Sequence, residues 1–66
     1  MKVTINGGEH TLDQELSLTG LLEFLDLAKG PVVVELNREA IFPRDYENIT
    51  VKDGDSIEII TIAAGG

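Results

Sequence analysis

The chain has 66 residues and a mass of 7.1 kDa, with 12 acids against 5 bases, a formal charge of -7 and no cysteine. A chain this short makes one domain that hides only about 60% of the surface exposed by its unfolded form, which argues against a deep substrate pocket and a self-sufficient enzyme. The absence of cysteine removes disulfides, thiolate zinc sites and thiol nucleophiles together. The acidic balance has the wrong sign for gripping a nucleic-acid backbone or an anionic membrane. No apolar run approaches the ~20 residues that span a bilayer, and the start Met1 to Asn6 turns polar at once, so a cytosolic chain is expected.

Residues 2 to 6 alternate Lys, Val, Thr, Ile and Asn, the period of two that predicts a strand with Val3 and Ile5 on one face. Asn6-Gly7-Gly8 supplies the positive φ angles of a tight hairpin, so residues 9 to 13 are expected to return antiparallel with Leu12 facing in. Leu18, Leu21, Leu22 and Leu25 then form one apolar helical stripe, with Ser17 placed to cap it and Leu16 and Leu21 placed to close a hydrophobic staple. Gly20 weakens this helix by ~1 kcal/mol relative to Ala, and Lys29-Gly30-Pro31 predicts its stop. Leu27 falls off the stripe and packs from the loop that leaves the helix.

Val32 to Leu36 reads as a central strand and Asn37-Arg38-Glu39 as a turn. Ala40 to Phe42 pairs only briefly, at or near an edge, because Pro43 lacks an amide proton. Arg44 to Asn48 is polar around Tyr46 and reads as a loop or one helical turn, with Arg44 open to pairing with local acids. Asp53-Gly54-Asp55 marks a turn and Ser56 to Ile62 the last strand. The core candidates are Val3, Ile5, Leu12, Leu21, Leu22, Leu25, Val34, Leu36, Ile41, Ile49, Val51, Ile57 and Ile59. The pattern ββαβββ predicts an α+β domain over residues 1–62, a five-stranded mixed sheet with one helix on one face, followed by a flexible tail over 63–66.

The last strand is anomalous. Ile57 and Ile59 point to one face while Ile60 and Ile62 point to the other, so either loops cover the second face or it is a docking patch. Ile60 and Ile62 lead into Ala63-Ala64-Gly65-Gly66, four residues slender enough to thread a tunnel and present a terminal carboxylate to a nucleophile. Other candidates fade. His10 is the only histidine and has no sequence-adjacent partner, while Asp53 and Asp55 lack the remaining spacing of a calcium loop. Gly7-Gly8 has neither the lysine nor the helix start of a phosphate loop. No catalytic constellation and no metal site survives.

The segment Leu36 to Tyr46, the turn Lys52-Asp53-Gly54-Asp55 with Ile57-Glu58-Ile59 after it, and the ending Ala64-Gly65-Gly66 together resemble the bacterial sulfur carriers of thiamine biosynthesis, the ThiS family. The resemblance implies a ubiquitin-like beta-grasp fold and a monomeric carrier that is itself no enzyme and binds no cofactor. It implies that a ThiF-like adenylyltransferase uses ATP and magnesium to activate the carboxylate of Gly66. A persulfide protein then delivers sulfur, and a ThiG-like thiazole synthase receives the resulting thiocarboxylate. Gly65 and Ala64 thread with Gly66, and Ile60, Ile62 and Glu58 fall at partner-binding positions. Relatives often end in three glycines, whereas Ala64 precedes the pair here. The molybdopterin-synthase small subunit shares the fold, turn and diglycine but tends to carry prolines before the tail, where this chain has Thr61-Ile62-Ala63. A ubiquitin-like protein modifier and a plain interaction module are the other readings.

Overall fold

The computed structural model describes residues 1–62. The elements are β1 (Lys2–Ile5), β2 (Gly8–Thr11), β3 (Leu16–Ser17), α1 (Leu18–Phe24), β4 (Val32–Leu36), β5 (Glu39–Ile41), a 3-10 helix (Pro43–Asn48), β6 (Thr50–Val51) and β7 (Ser56–Thr61). Five strands form one mixed sheet in the order β2-β1-β7-β4-β5, with β7 parallel to β1 and antiparallel to β4. This is the expected α+β arrangement of a five-stranded sheet with one helix. The brief strand β5 lies at an edge, as Pro43 requires. The structure adds a two-stranded ladder of β3 and β6. Two residues per strand carry no readable period, and Leu16-Ser17 doubles as the helix entry.

Both hairpins close through two residues with positive φ, Asn6 (50°) and Gly7 (81°) between β1 and β2, and Asn37 (50°) and Arg38 (70°) between β4 and β5. Two such residues make the turn whose twist matches the flanking strands. Arg38 is the costly member, since a side chain with Cβ rarely adopts this conformation.

The Ser17 hydroxyl accepts the Gly20 N–H at 3.0 Å and caps α1 as expected, with Leu16 packed against the core from the preceding position. The helix ends earlier than Lys29-Gly30-Pro31 predicts. Asp26 takes φ 61°, its N–H bonds the Glu23 carbonyl at 3.1 Å, and the Leu27 N–H bonds the Leu22 carbonyl at 2.7 Å. These are the paired bonds of a Schellman stop, in which an aspartate takes the left-handed position usually held by glycine. Leu25 therefore sits at the cap, half-buried, and Leu27 turns back onto the core.

The inner face of the sheet presents Val3, Ile5, Val34, Ile57 and Ile59 to Leu18, Leu21 and Leu22 of α1, with Leu12, Val51 and Tyr46 completing the buried set. Nine of the thirteen core candidates are buried, while Leu25, Leu36, Ile41 and Ile49 are only partly so. Tyr46 is the surprise. The 3-10 helix packs against α1 and turns this one aromatic inward, to 8% exposure, out of an otherwise polar segment.

The Tyr46 hydroxyl is buried and has no hydrogen-bond partner among the described residues. Burial pushes its phenol above the ordinary value of 10.0, because the phenolate would lose its hydration. An unpaired buried hydroxyl is a net cost, so Tyr46→Phe is expected to stabilise the fold by about 1 kcal/mol. A thermal melt should show this as a rise in Tm of about 4–8 °C. The parent chain binds more protons folded than unfolded above pH 10, so its stability falls there. The same scan on Tyr46→Phe should lack that part of the fall.

Candidate functional site

The structure decides between the two readings of the last strand. Ile57 and Ile59 are buried beneath α1, whereas Ile60 is 56% and Ile62 50% exposed on the opposite face. Across the ladder Val33 stands opposite Ile60 and is itself 40% exposed. No described loop covers this face. The patch is therefore an open apolar surface on the two strands nearest the C-terminal exit. Next to it Glu35 lies directly opposite Glu58. Like charges facing each other across a ladder are destabilising, so this edge of the patch is not optimised for the isolated fold.

The end of β7 is fixed in space by polar side chains. The Asn6 amide donates to the Ile59 carbonyl at 3.1 Å and its oxygen accepts the Ile59 N–H at 2.7 Å. This side chain replaces the backbone that β1 no longer supplies, because the chain turns away at Asn6-Gly7. At the other end of β7, the Asn37 oxygen accepts the Ser56 N–H at 2.9 Å, and its amide donates to Asp55 at 3.1 Å. The Asn37 N–H also donates to the Ser56 carbonyl at 2.7 Å. The second Asp55 oxygen accepts the Lys52 N–H at 2.7 Å, and Asp53 accepts the Lys2 N–H at the same distance. Both aspartates thus serve the turn.

Among the described residues no group of three or more His, Asp or Glu is placed to hold a metal ion. His10 is exposed on β2. Among the described residues Arg44 pairs with no acid, and it lies over the Phe42 ring, 4.9 Å from its centroid. A cleft of about 380 Å³ between α1 and the 3-10 helix, lined by Thr19, Leu22, Pro31, Val32, Pro43 and Tyr46, is apolar, and among the described residues Tyr46 is its only titratable group. No described helix is long and apolar enough to cross a membrane.

Of the site residues expected from sequence, Ile60, Ile62 and Glu58 share one open face, as the alternation of β7 requires. Ala64, Gly65 and Gly66 lie outside the described residues. Sequence reasoning missed Val33 and Glu35, whose place beside Ile60 and Glu58 depends on strand register. It also missed the Asn6 clip, because Asn-Gly already explains itself as a turn.

The model of the ThiS family matches residues 3–66. This chain belongs to the ThiS family. The crystal structure of the thiamine biosynthesis protein ThiS from Geobacter metallireducens is 39% identical, superimposes with a TM-score of 0.86 and covers all of both chains. The solution structure of a thiamine biosynthesis protein from the same organism gives a TM-score of 0.84 at 39% identity, over all of this chain and 88% of that one. The chain is also 35% identical, over its whole length, to a thiazole synthase of Paramagnetospirillum magneticum, of which it spans only 20%. An uncharacterised protein, ycf40, of Porphyra purpurea is 33% identical over all of this chain and 93% of its own. Within this ThiS fold, the Asn37 turn and the Asp-Gly-Asp turn that carried the resemblance both hold the start of β7.

The Asn6 clip has a direct test. Asn6→Gly keeps the positive φ and removes both bonds to Ile59, and is expected to cost about 1–3 kcal/mol in a urea titration.

Proposed function

We propose that this chain is a sulfur carrier of thiamine biosynthesis whose working group is the carboxylate of Gly66. The observation that carries this reading is the family match, which runs through the last residue. The open patch of Val33, Ile60 and Ile62 on the strand leading to that residue supports it.

The chemistry follows from the poor reactivity of a carboxylate. Its charge is shared over two oxygens, and direct replacement by sulfur would have to expel oxide. A partner adenylyltransferase solves this with ATP and magnesium. The Gly66 carboxylate attacks the α-phosphorus, pyrophosphate leaves, and the acyl adenylate then has AMP as its leaving group. The terminal sulfur of a persulfide protein attacks the acyl carbon, and a thiol breaks the remaining S–S bond to release the thiocarboxylate. Gly65 and Ala64 thread with Gly66 into each partner's tunnel.

The consumer of the sulfur in this reading is a thiazole synthase. Two proteins of that name, from Paramagnetospirillum magneticum and Magnetococcus marinus, each carry a segment resembling this whole chain within one longer polypeptide. Fusing a donor to its acceptor raises their effective concentration without any new contact.

The body of the domain is a handle. Ile60, Ile62 and Glu58, joined by Val33 and Glu35, present an apolar centre with an acidic border. A partner with a matching apolar patch and a basic rim is attracted by the net charge of -7, which speeds encounter more than it tightens the complex.

Incubation with the cognate adenylyltransferase, ATP, magnesium and a persulfide donor is expected to exchange one C-terminal oxygen for sulfur, read by intact mass. An unchanged mass with a competent partner overturns the proposal. Ile60→Asp is expected to cost about 1 kcal/mol through lost strand propensity, leaving the fold intact, while slowing adenylation. Glu58→Lys relieves the like-charge pair and should raise stability by about 0.2–1 kcal/mol. The same variant should weaken partner association, and added salt should slow adenylation of the parent.

A further inference from the structure

Hydrogen bonding along β7 alternates between its two neighbours. The Ile62 N–H bonds the Pro31 carbonyl at 3.0 Å, and the register of β7 on β4 sets Ile60 opposite Val33 and Glu58 opposite Glu35. Residues 58, 60 and 62 therefore turn their backbone groups toward β4, and residues 57, 59 and 61 turn theirs the other way. On that other side the Ile57 carbonyl accepts from Asn6 N–H at 2.9 Å, and both Ile59 groups are taken by the Asn6 side chain. Thr61 is next in the series. Beyond Asn6 the chain has turned into β2, and among the described residues no group reaches the Thr61 N–H or carbonyl.

An unpaired donor and acceptor at the end of a central strand form a template for one more strand. We propose that the Thr61 N–H and C=O are a strand-pairing site, filled by an extended backbone segment of the adenylating partner that continues the line of β1 beyond the Asn6 clip. The inference rests on the carrier reading and adds to it a contact made by main chain instead of the apolar patch. The occupant is a partner segment because β7 is continuous with the four C-terminal residues that the partner must receive. A strand paired at Thr61 would fix the direction in which those residues leave the sheet. Backbone pairing of this kind supplies affinity largely independent of side-chain sequence. Asn6 acts here as a spacer. It satisfies Ile59 from within the chain, so that the first open position falls at Thr61.

Amide hydrogen exchange followed by NMR on the full chain, alone and saturated with its adenylyltransferase, tests the proposal. In the free chain the Ile59 amide is expected to be protected and the Thr61 amide to exchange at close to the rate of an open strand end. In the complex the Thr61 amide should slow by at least about tenfold. Shifted Ile60 and Ile62 methyl signals with a Thr61 amide that still exchanges freely would overturn the strand pairing and leave the carrier reading standing. Failure to form the adenylate at all would remove the carrier reading and this inference with it. Protection of Thr61 that grows with the concentration of the free chain overturns the partner assignment in favour of a second copy. An analogue with an ester in place of the Ile60–Thr61 amide removes the Thr61 N–H and weakens the Ile60 carbonyl, which faces Val33 of β4. It should lower Tm slightly through that carbonyl and weaken partner binding roughly 3- to 10-fold, the worth of one net hydrogen bond. An ester analogue that binds as tightly as the parent overturns the proposal.

Discussion

The placement of β7 between β1 and β4 is the constraint on which the rest of the molecule depends. The last described strand, β7, lies in the middle of the sheet, so the described chain ends at its centre instead of at an edge. Its inner residues Ile57 and Ile59 are buried against α1, and its backbone is held by β4 and Asn37 on one side and by β1 and the Asn6 side chain on the other. Such a strand cannot shift by one residue. A slip would exchange Ile57 and Ile59 for Glu58 and Ile60 in the core. The position at which the chain emerges is thereby fixed to the same precision as the core itself.

Much of this was legible because the determinants are local. Alternation in Lys2 to Asn6, the leucine stripe of α1, Asn-Gly and Asp-Gly-Asp each specify an element within a few residues, and those elements appear where expected. What escaped the sequence depended on partners distant along the chain. Asp26 ends α1 in a conformation that glycine signals and aspartate only permits, so Lys29-Gly30-Pro31 pointed too far downstream. Tyr46 is buried because the 3-10 helix packs on α1, and nothing in its polar neighbours announces this. The two faces of β7 were evident from its isoleucines. That the second face stays open required the register that sets Val33 against Ile60 and leaves both without cover.

The surface departs from what stability alone would choose at three adjoining places. Exposed Val33, Ile60 and Ile62 forgo burial, Glu35 and Glu58 repel each other, and the Thr61 backbone groups find no partner among the described residues. Each departure is small, and isolated apolar residues on a surface need no account. Their coincidence on the same two neighbouring strands does, since sequences are otherwise consistent from local pattern to packing and conflict gathers at functional positions. The conflict also has a sign. An apolar centre, an excess of negative charge and an open strand end call for apolar cover, positive charge and a backbone respectively. One protein surface can supply all three.

On the proposed reading, in which the terminal carboxylate is the working group, a domain of this size needs no internal active site. The structure contains an apolar cleft without paired titratable groups, aspartates committed to turns, and a histidine exposed on an outer strand. On the same reading, chemistry supplied by partners leaves the carrier two physical tasks, to be recognised and to aim its end. Recognition calls for a surface that is uncomfortable when bare, yet not so apolar that the free chain associates with itself, and the charge of -7 opposes self-association directly. Aim calls for rigidity up to the last residues before the end. The Asn6 clip meets that need with a side chain, so the main chain of β1 is free to turn away and leave Thr61 open.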